Sequence, residues 1–154
     1  MKEGCMISKI LVPTDGSKTD QRAAAYAVDL AKQLKASIIA LSVIDKRMYV
    51  AQAGFAAKTA EQTPVTIEDY LTQEAKKYAG EIKKLCDQCG VESHLLVTMG
   101  YPIEEIVKES KRTKADLIVM GSRGRSALSA TVLGSVSYGI IHNDKSIPVL
   151  IVRD

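Results

Sequence analysis

The chain has 154 residues, a mass of 16.7 kDa, 46% hydrophobic and 25% charged residues, a size and mixture that fit one domain and exclude a disordered chain, a collagen-like fibre and a disulfide-dense mini-protein. Its 21 basic and 18 acidic residues give a net charge of +3 and are mixed along the chain; with six Tyr, one Phe and no Trp, it lacks the basic stripe and stacking aromatics of a nucleic-acid binder. No apolar run approaches the roughly 18 residues of a membrane span, Met1 to Met6 holds no signal-peptide core, and three cysteines make no disulfide framework, so the expectation is a cytoplasmic protein whose partners include neither membrane nor nucleic acid.

The first apolar run, Ile7 to Val12, is closed by Pro13-Thr14-Asp15-Gly16 and reads as a buried strand and turn. Ser17-Lys18-Thr19-Asp20 has capping-box spacing, and Ala23, Ala27, Leu30, Ala31 and Leu34 line one face of the helix that follows. Ser37 to Ile44 is the second strand. Between Asp45 and Val65 no period is sustained, which predicts a long functional loop, a lid or a disordered excursion. Thr66-Ile67-Glu68-Asp69 then caps a long helix with Leu71, Ala75, Tyr78, Ile82, Leu85 and Cys89 on one face, ending at Gly90. Val91 to Thr98 is the third strand, and Pro102 opens a helix that turns Ile103, Ile106 and Val107 inward. Ala115 to Met120 is the fourth. A last helix runs from Gly134-Ser135 to about His142, and Ile147 to Val152 is the fifth strand.

Strands alternate with helices, and the strands are continuous apolar runs, as expected where both faces are covered. The fold class is therefore α/β, a three-layer, doubly wound, open sheet of five parallel strands. In such sheets ligands sit beyond the carboxyl ends of the strands, where the winding reverses. With strand order 3-2-1-4-5, the reversal lies between strands one and four, which end in Pro13-Thr14-Asp15 and Met120-Gly121.

The second of these loops carries Gly-x2-Gly-x9-Gly-Ser, with Gly121, Gly124, Gly134 and Ser135. Glycines let backbone N–H groups close around an anion, and Gly134-Ser135 opens a helix whose free amides and dipole favour phosphate. Ser135 and Ser137 add hydroxyl donors, Arg123 or Arg125 adds charge, and Asp15 can accept hydrogen bonds from ribose hydroxyls. A single glycine motif commonly does no more than turn the chain. Here the motif follows a strand, opens a helix and faces an acidic loop, which points to a mononucleotide site.

These residues resemble the ATP-binding branch of the universal stress protein family, and the resemblance covers nearly the whole chain, with the glycine motif matched without a gap. It implies an adenine-nucleotide alpha-hydrolase-like sheet ordered 3-2-1-4-5 within one domain spanning residues 1–154. It further implies that Pro13, Thr14, Asp15 and Val43 hold adenosine, with Asp15 on the ribose and the Val43 backbone at adenine. Met120 and Gly121 would lie alongside the nucleotide, and Arg123, Gly124, Gly134, Ser135, Val136 and Ser137 would surround the phosphates. The implied cofactor is ATP, with any Mg²⁺ bound through the phosphates.

Cys86-Asp87-Gln88-Cys89 is a CxxC pair in the last turn of a helix, where the dipole disfavours thiolate, so packing is the better reading than redox chemistry. Cys5, His94 and His142 offer no second paired spacing for zinc, and neither histidine flanks a nucleophile. A flavin carrier would want aromatic loops, and a phospho-receiver an acid after strand three, where Thr98-Met99 stands. No residue of the motif is an obvious base for water. The expected function is a nucleotide-dependent switch or binding module that a protein partner reads, with an ATPase or nucleotidyl transferase in the same pocket as the alternative. Strand five would be an apolar sheet edge, which predicts a homodimer through residues 147–152, the association the resemblance also suggests.

Overall fold

In the computed structural model, which describes residues 6–59, 64–123 and 133–153, the chain runs β1 (Lys9–Pro13), α1 (Lys18–Leu34), β2 (Ser37–Asp45), α2 (Lys46–Thr59), α3 (Pro64–Cys89), β3 (Ser93–Gly100), α4 (Pro102–Arg112), β4 (Leu117–Gly121), α5 (Ser135–Asn143) and β5 (Val149–Val152). The strands form one sheet in the order β3-β2-β1-β4-β5, and every pairing is parallel. β1 is central: Lys9 to Pro13 register with Ser37 to Leu41 on one side, and Ile10 and Leu11 with Leu117 and Ile118 on the other.

Both faces of the central strands are buried, which is why they read as unbroken apolar runs. Ile10, Val12, Ile38, Ala40, Leu117 and Val119 turn to one side and pack against Ala23, Ala27 and Ala31 of α1 and Ala79, Ile82 and Cys86 of α3. Leu11, Ile39, Leu41, Ile118 and Met120 turn to the other, against Ile106 of α4 and Ile140 of α5. Alternate residues of each strand thus feed separate cores, as the period of two in an extended chain requires.

The segment expected to be structureless after Asp45 contains α2, Lys46–Thr59. Apart from Gly54 its residues are strong or acceptable helix formers, but from Lys46 to Phe55 every residue is exposed or half-buried, so no apolar stripe is written into the sequence. The next helix starts earlier than the cap expected at Thr66, with Pro64 as its first residue, a position that proline's fixed φ suits. Residues 124–132, with Gly124 and Arg125, and Cys5 lie outside the described residues.

Two local devices fix the amino-terminal end of the sheet and the turn at its other end. Below the sheet, the Asp116 carboxylate accepts from the amide and hydroxyl of Ser8 and the amide of Lys9, at 2.9, 2.9 and 3.0 Å. Burial opposes the charge there, yet these donors hold the carboxyl below its usual range. Above it, Gly16 sits at φ 81°, and a Cβ there would lie 2.4 Å from the Tyr78 ring of α3.

Gly16→Ala adds left-handed strain of about 1–2 kcal/mol to a collision with Tyr78 and is expected to lower stability by at least that amount in urea unfolding. Asp116→Asn is expected to cost about 1–3 kcal/mol at neutral pH. Because the Asp116 carboxyl titrates lower when folded, that contribution is present above the unfolded value of 3.8 and fades as pH falls through the folded one, so the two proteins converge in strong acid.

Candidate functional site at the β1 and β4 carboxyl ends

The sheet reverses its winding between β1 and β4, and the turns leaving these strands are held against each other by α1. Pro13 ends β1, and the next amide, Thr14, donates to the Leu41 carbonyl of β2 at 2.8 Å. The Gly16 amide donates to the Thr14 hydroxyl at 3.1 Å and the Ser17 amide to Asp15 Oδ1 at 2.9 Å. These two short loops set Asp15, half-buried, at the strand end.

α1 begins with Ser17 as its cap, whose hydroxyl accepts from the Asp20 amide at 3.2 Å. In a reciprocal capping box the third helical residue would return a bond to the Ser17 amide. Asp20 instead accepts the Asp15 amide on Oδ2 at 2.8 Å, because the left-handed Gly16 carries that amide over the first turn of the helix. The Asp20 carboxyl also meets the Asp15 side chain and the Gly121 amide. Its pKa is pushed up to about 8, first by burial and then by the neighbouring Asp15 carboxyl, against the two backbone amides that favour its charge. At neutral pH Asp20 is therefore largely protonated.

From the other side, Met120 is buried on the α4 and α5 face and Gly121 ends β4. A Cβ at Gly121 would stand 2.9 Å from Asp20 Oδ1 and 2.9 Å from the Thr19 backbone, so a side chain of any size would push α1 away. The Thr19 hydroxyl donates to the Arg123 carbonyl. After the stretch outside the described residues, the Gly134 amide returns to the Ser122 carbonyl at 2.6 Å. α5 opens there with Gly134 as its cap, which supplies no side-chain acceptor to the first-turn amides.

Ser135 is exposed at the start of α5, Val136 packs partly against the second core, and the buried Ser137 hydroxyl donates to the Gly121 carbonyl at 2.8 Å. The structure thus brings Pro13, Thr14, Asp15, Met120, Gly121, Arg123, Gly134, Ser135, Val136 and Ser137 to the carboxyl ends of β1 and β4. Val43 stands near the end of adjacent β2, half-buried beside the second core; Gly124 is outside the described residues. Chemically the site offers hydroxyls and helix-end amides for an anion, and a carboxylate for hydroxyl groups, which suits a phosphorylated sugar or nucleotide. Among the described residues no group of three or more His, Cys, Asp or Glu is gathered for a metal ion.

Asp20 and Thr19 were not legible as site residues. Their spacing from Ser17 announces a helix cap, and nothing local reveals that the end of β4, six elements later, approaches them. The CxxC pair is free, with Cys86 buried and Cys89 half-buried; burial raises the Cys86 thiol, although the Ser93 hydroxyl opposes the shift. Among the described residues no helix is long and apolar enough to cross a membrane.

The profile of the universal stress protein family matches residues 6–153. Universal stress protein MJ0531 of Methanocaldococcus jannaschii is 35% identical over 96% of this chain and 83% of its own, and universal stress protein YxiE of Bacillus subtilis is 34% identical over 96% of this chain and all of its own. Among solved structures, MJ0577 superposes with a TM-score of 0.78 at 33% identity, covering 97% of each chain. A universal stress protein in complex with cAMP superposes with a TM-score of 0.60 at 26% identity, covering 96% of this chain and 98% of that one. By sequence along nearly its full length and by the order of its sheet, this chain belongs to the universal stress protein family.

Proposed function

We propose that the protein binds ATP in the cleft between the β1 and β4 turns and acts as a nucleotide-dependent switch or binding module of the stress response. The observation that carries this reading is the meeting of three parts at the reversal of the sheet: a carboxylate loop at Asp15, a glycine turn at Gly121 and the uncapped start of α5 at Gly134-Ser135. The cAMP complex of a relative supports an adenine nucleotide as the ligand class.

In this reading Asp15 accepts the ribose hydroxyls, flanked by Pro13 and Thr14, and the Val43 backbone meets adenine. Met120 and Gly121 lie along the nucleotide. Arg123, Gly124, Gly134, Ser135, Val136 and Ser137 surround the phosphates, with helix-end amides and hydroxyls donating to them. Any Mg²⁺ is carried by the phosphates. The Ser137 hydroxyl donates to the Gly121 carbonyl, so its part is to fix the wall of the cleft while its amide faces the start of the helix. A protein partner in the cytoplasm reads the occupied form, which requires that it bind the occupied and empty forms with different affinity.

The proposal extends to a homodimer through residues 147–152. β5 lies at the edge of the sheet, its four residues are Val, Leu, Ile and Val, and each is half-buried, the kind of edge that proteins pair or cover.

Heat or acid denaturation of the purified protein, followed by chromatography, is expected to release an adenine nucleotide, and calorimetry of stripped protein to show ATP binding weakened at least tenfold by Asp15→Ala. No released nucleotide together with no calorimetric binding overturns the reading. Phosphate release well above about one per minute, abolished by Gly124→Val, would replace the binding module by an enzyme, since typical enzymes turn over about ten times per second. Solution scattering at micromolar concentration is expected to give twice 16.7 kDa; a monomer mass rejects the dimer.

A further inference from the structure

The Asp20 side chain has a position that neither a helix cap nor the core accounts for. It is 8% exposed, yet it turns away from the apolar cores into the space between two backbone turns. On one side it holds the Asp15 amide at 2.8 Å. On the other it meets the Gly121 amide, and the missing Cβ of Gly121 is what gives its Oδ1 room. Beside it, the Thr19 hydroxyl binds the Arg123 carbonyl, so consecutive residues of one helical turn grip both loops.

We propose that Asp20 is a positioning residue of the nucleotide cleft, a bridge that sets the ribose-facing Asp15 loop and the phosphate-facing Gly121 turn at one fixed separation. The inference rests on the nucleotide reading for its ligand, but the bridge itself is a property of the free protein. A nucleotide spans both loops, so a fixed separation removes an ordering cost that binding would otherwise meet.

The bridge also depends on a proton. The Asp20 carboxyl is opposed by Asp15 from the β1 turn; from the β4 turn Arg123 comes near through its backbone carbonyl, which the adjacent Thr19 hydroxyl holds, and Tyr78 is the group that α3 brings to the β1 turn, at Gly16. β4 and β5 carry no charged residue, and on α1 itself Lys18, Gln21 and Arg22 flank the position. With its proton, Asp20 donates toward the Asp15 carboxylate while accepting the backbone amides. Once that proton is lost, two carboxylates face each other across the bridge and the loops are driven apart. Folded Asp20 titrates near 8 and unfolded Asp near 3.8. The folded state therefore binds the extra proton between these values, and stability falls as pH rises through that interval.

The test uses the full chain, with wild type, Asp20→Ala and Asp20→Asn checked for folding by thermal unfolding. Without nucleotide, amide hydrogen exchange at both Asp15 and Gly121 is expected to accelerate at least tenfold in Asp20→Ala, while Asp20→Asn, which keeps an acceptor and a donor, protects both better than Ala does. Acceleration at Asp15 alone would reduce Asp20 to a local cap and overturn the bridge. With ATP as the probe, wild-type affinity is expected to drop several-fold between pH 7 and pH 9, that of Asp20→Asn to stay flat, and that of Asp20→Ala to be about tenfold weaker throughout. Identical pH profiles for wild type and Asp20→Asn overturn the proton's part. Absence of ATP binding by wild type rejects the nucleotide reading and leaves the bridge to be decided by the exchange data. If Asp20→Ala does not fold, Asp20→Ser, which keeps a hydroxyl too short to reach both turns, takes its place in both arms with the same outcomes.

Discussion

The arrangement of the β1 and β4 turns depends on how closely the first turn of α1 approaches the end of β4. That approach requires glycine at position 121, where a Cβ would meet both the Thr19 backbone and the Asp20 carboxyl at 2.9 Å. Once the two are in contact, the neighbouring groups have a short list of partners. Thr19 reaches the Arg123 carbonyl, Asp20 reaches the Asp15 amide, and Ser137 comes in from α5 to bind the Gly121 carbonyl. The Thr19 bond spans 104 residues of sequence and the Ser137 bond 16, while the Asp20 bond closes over five, so the turns at the two strand ends are shaped by tertiary contact as well as by local preference.

Sheet topology explains why this meeting occurs at β1 and β4 and nowhere else. Right-handed crossovers send β2 and β3 to one side of β1 and β4 and β5 to the other. The helices after β1 and β4 therefore lie on opposite faces: α1 with α3 on the first core, α5 with α4 on the second. Between them lie the carboxyl ends of two adjacent strands, the place where doubly wound sheets bind ligands. The interior that supports it is almost wholly aliphatic, with the two cores built from alternate residues of the same strands.

Much of this was legible in the sequence, because the features concerned leave a local mark. Continuous apolar strands such as Ile10 to Val12 signal burial on both faces, and Pro102 and Gly134-Ser135 mark helix starts where helices begin. The glycines at 121 and 134 mark in sequence the end of β4 and the start of α5, where the structure places them. α2 was not legible, since a helix that buries no complete face writes no period into its residues. Strand ends differed by one or two residues for a related reason: Ile7 and Ile147 pack against a core without joining the ladder. Asp20 was concealed by having a sufficient local explanation. Ser17-x-x-Asp20 spells a capping box, and only the left-handed turn at Gly16 diverts the carboxyl from the Ser17 amide to that of Asp15.

The Ser122 amide, one residue beyond the glycine of β4, donates to the Val152 carbonyl of β5 at 3.0 Å, and Gly121 registers with Val152. The Ser122 carbonyl in turn receives the Gly134 amide at the head of α5. Ser122 alone therefore connects the outermost strand to the start of α5. A pull or a twist applied to the rim of the sheet reaches the start of α5 through two hydrogen bonds, without passing through either core. In mechanical terms the rim strand is a lever and Ser122 its pivot, so β5 and the head of α5 act on the same short piece of backbone.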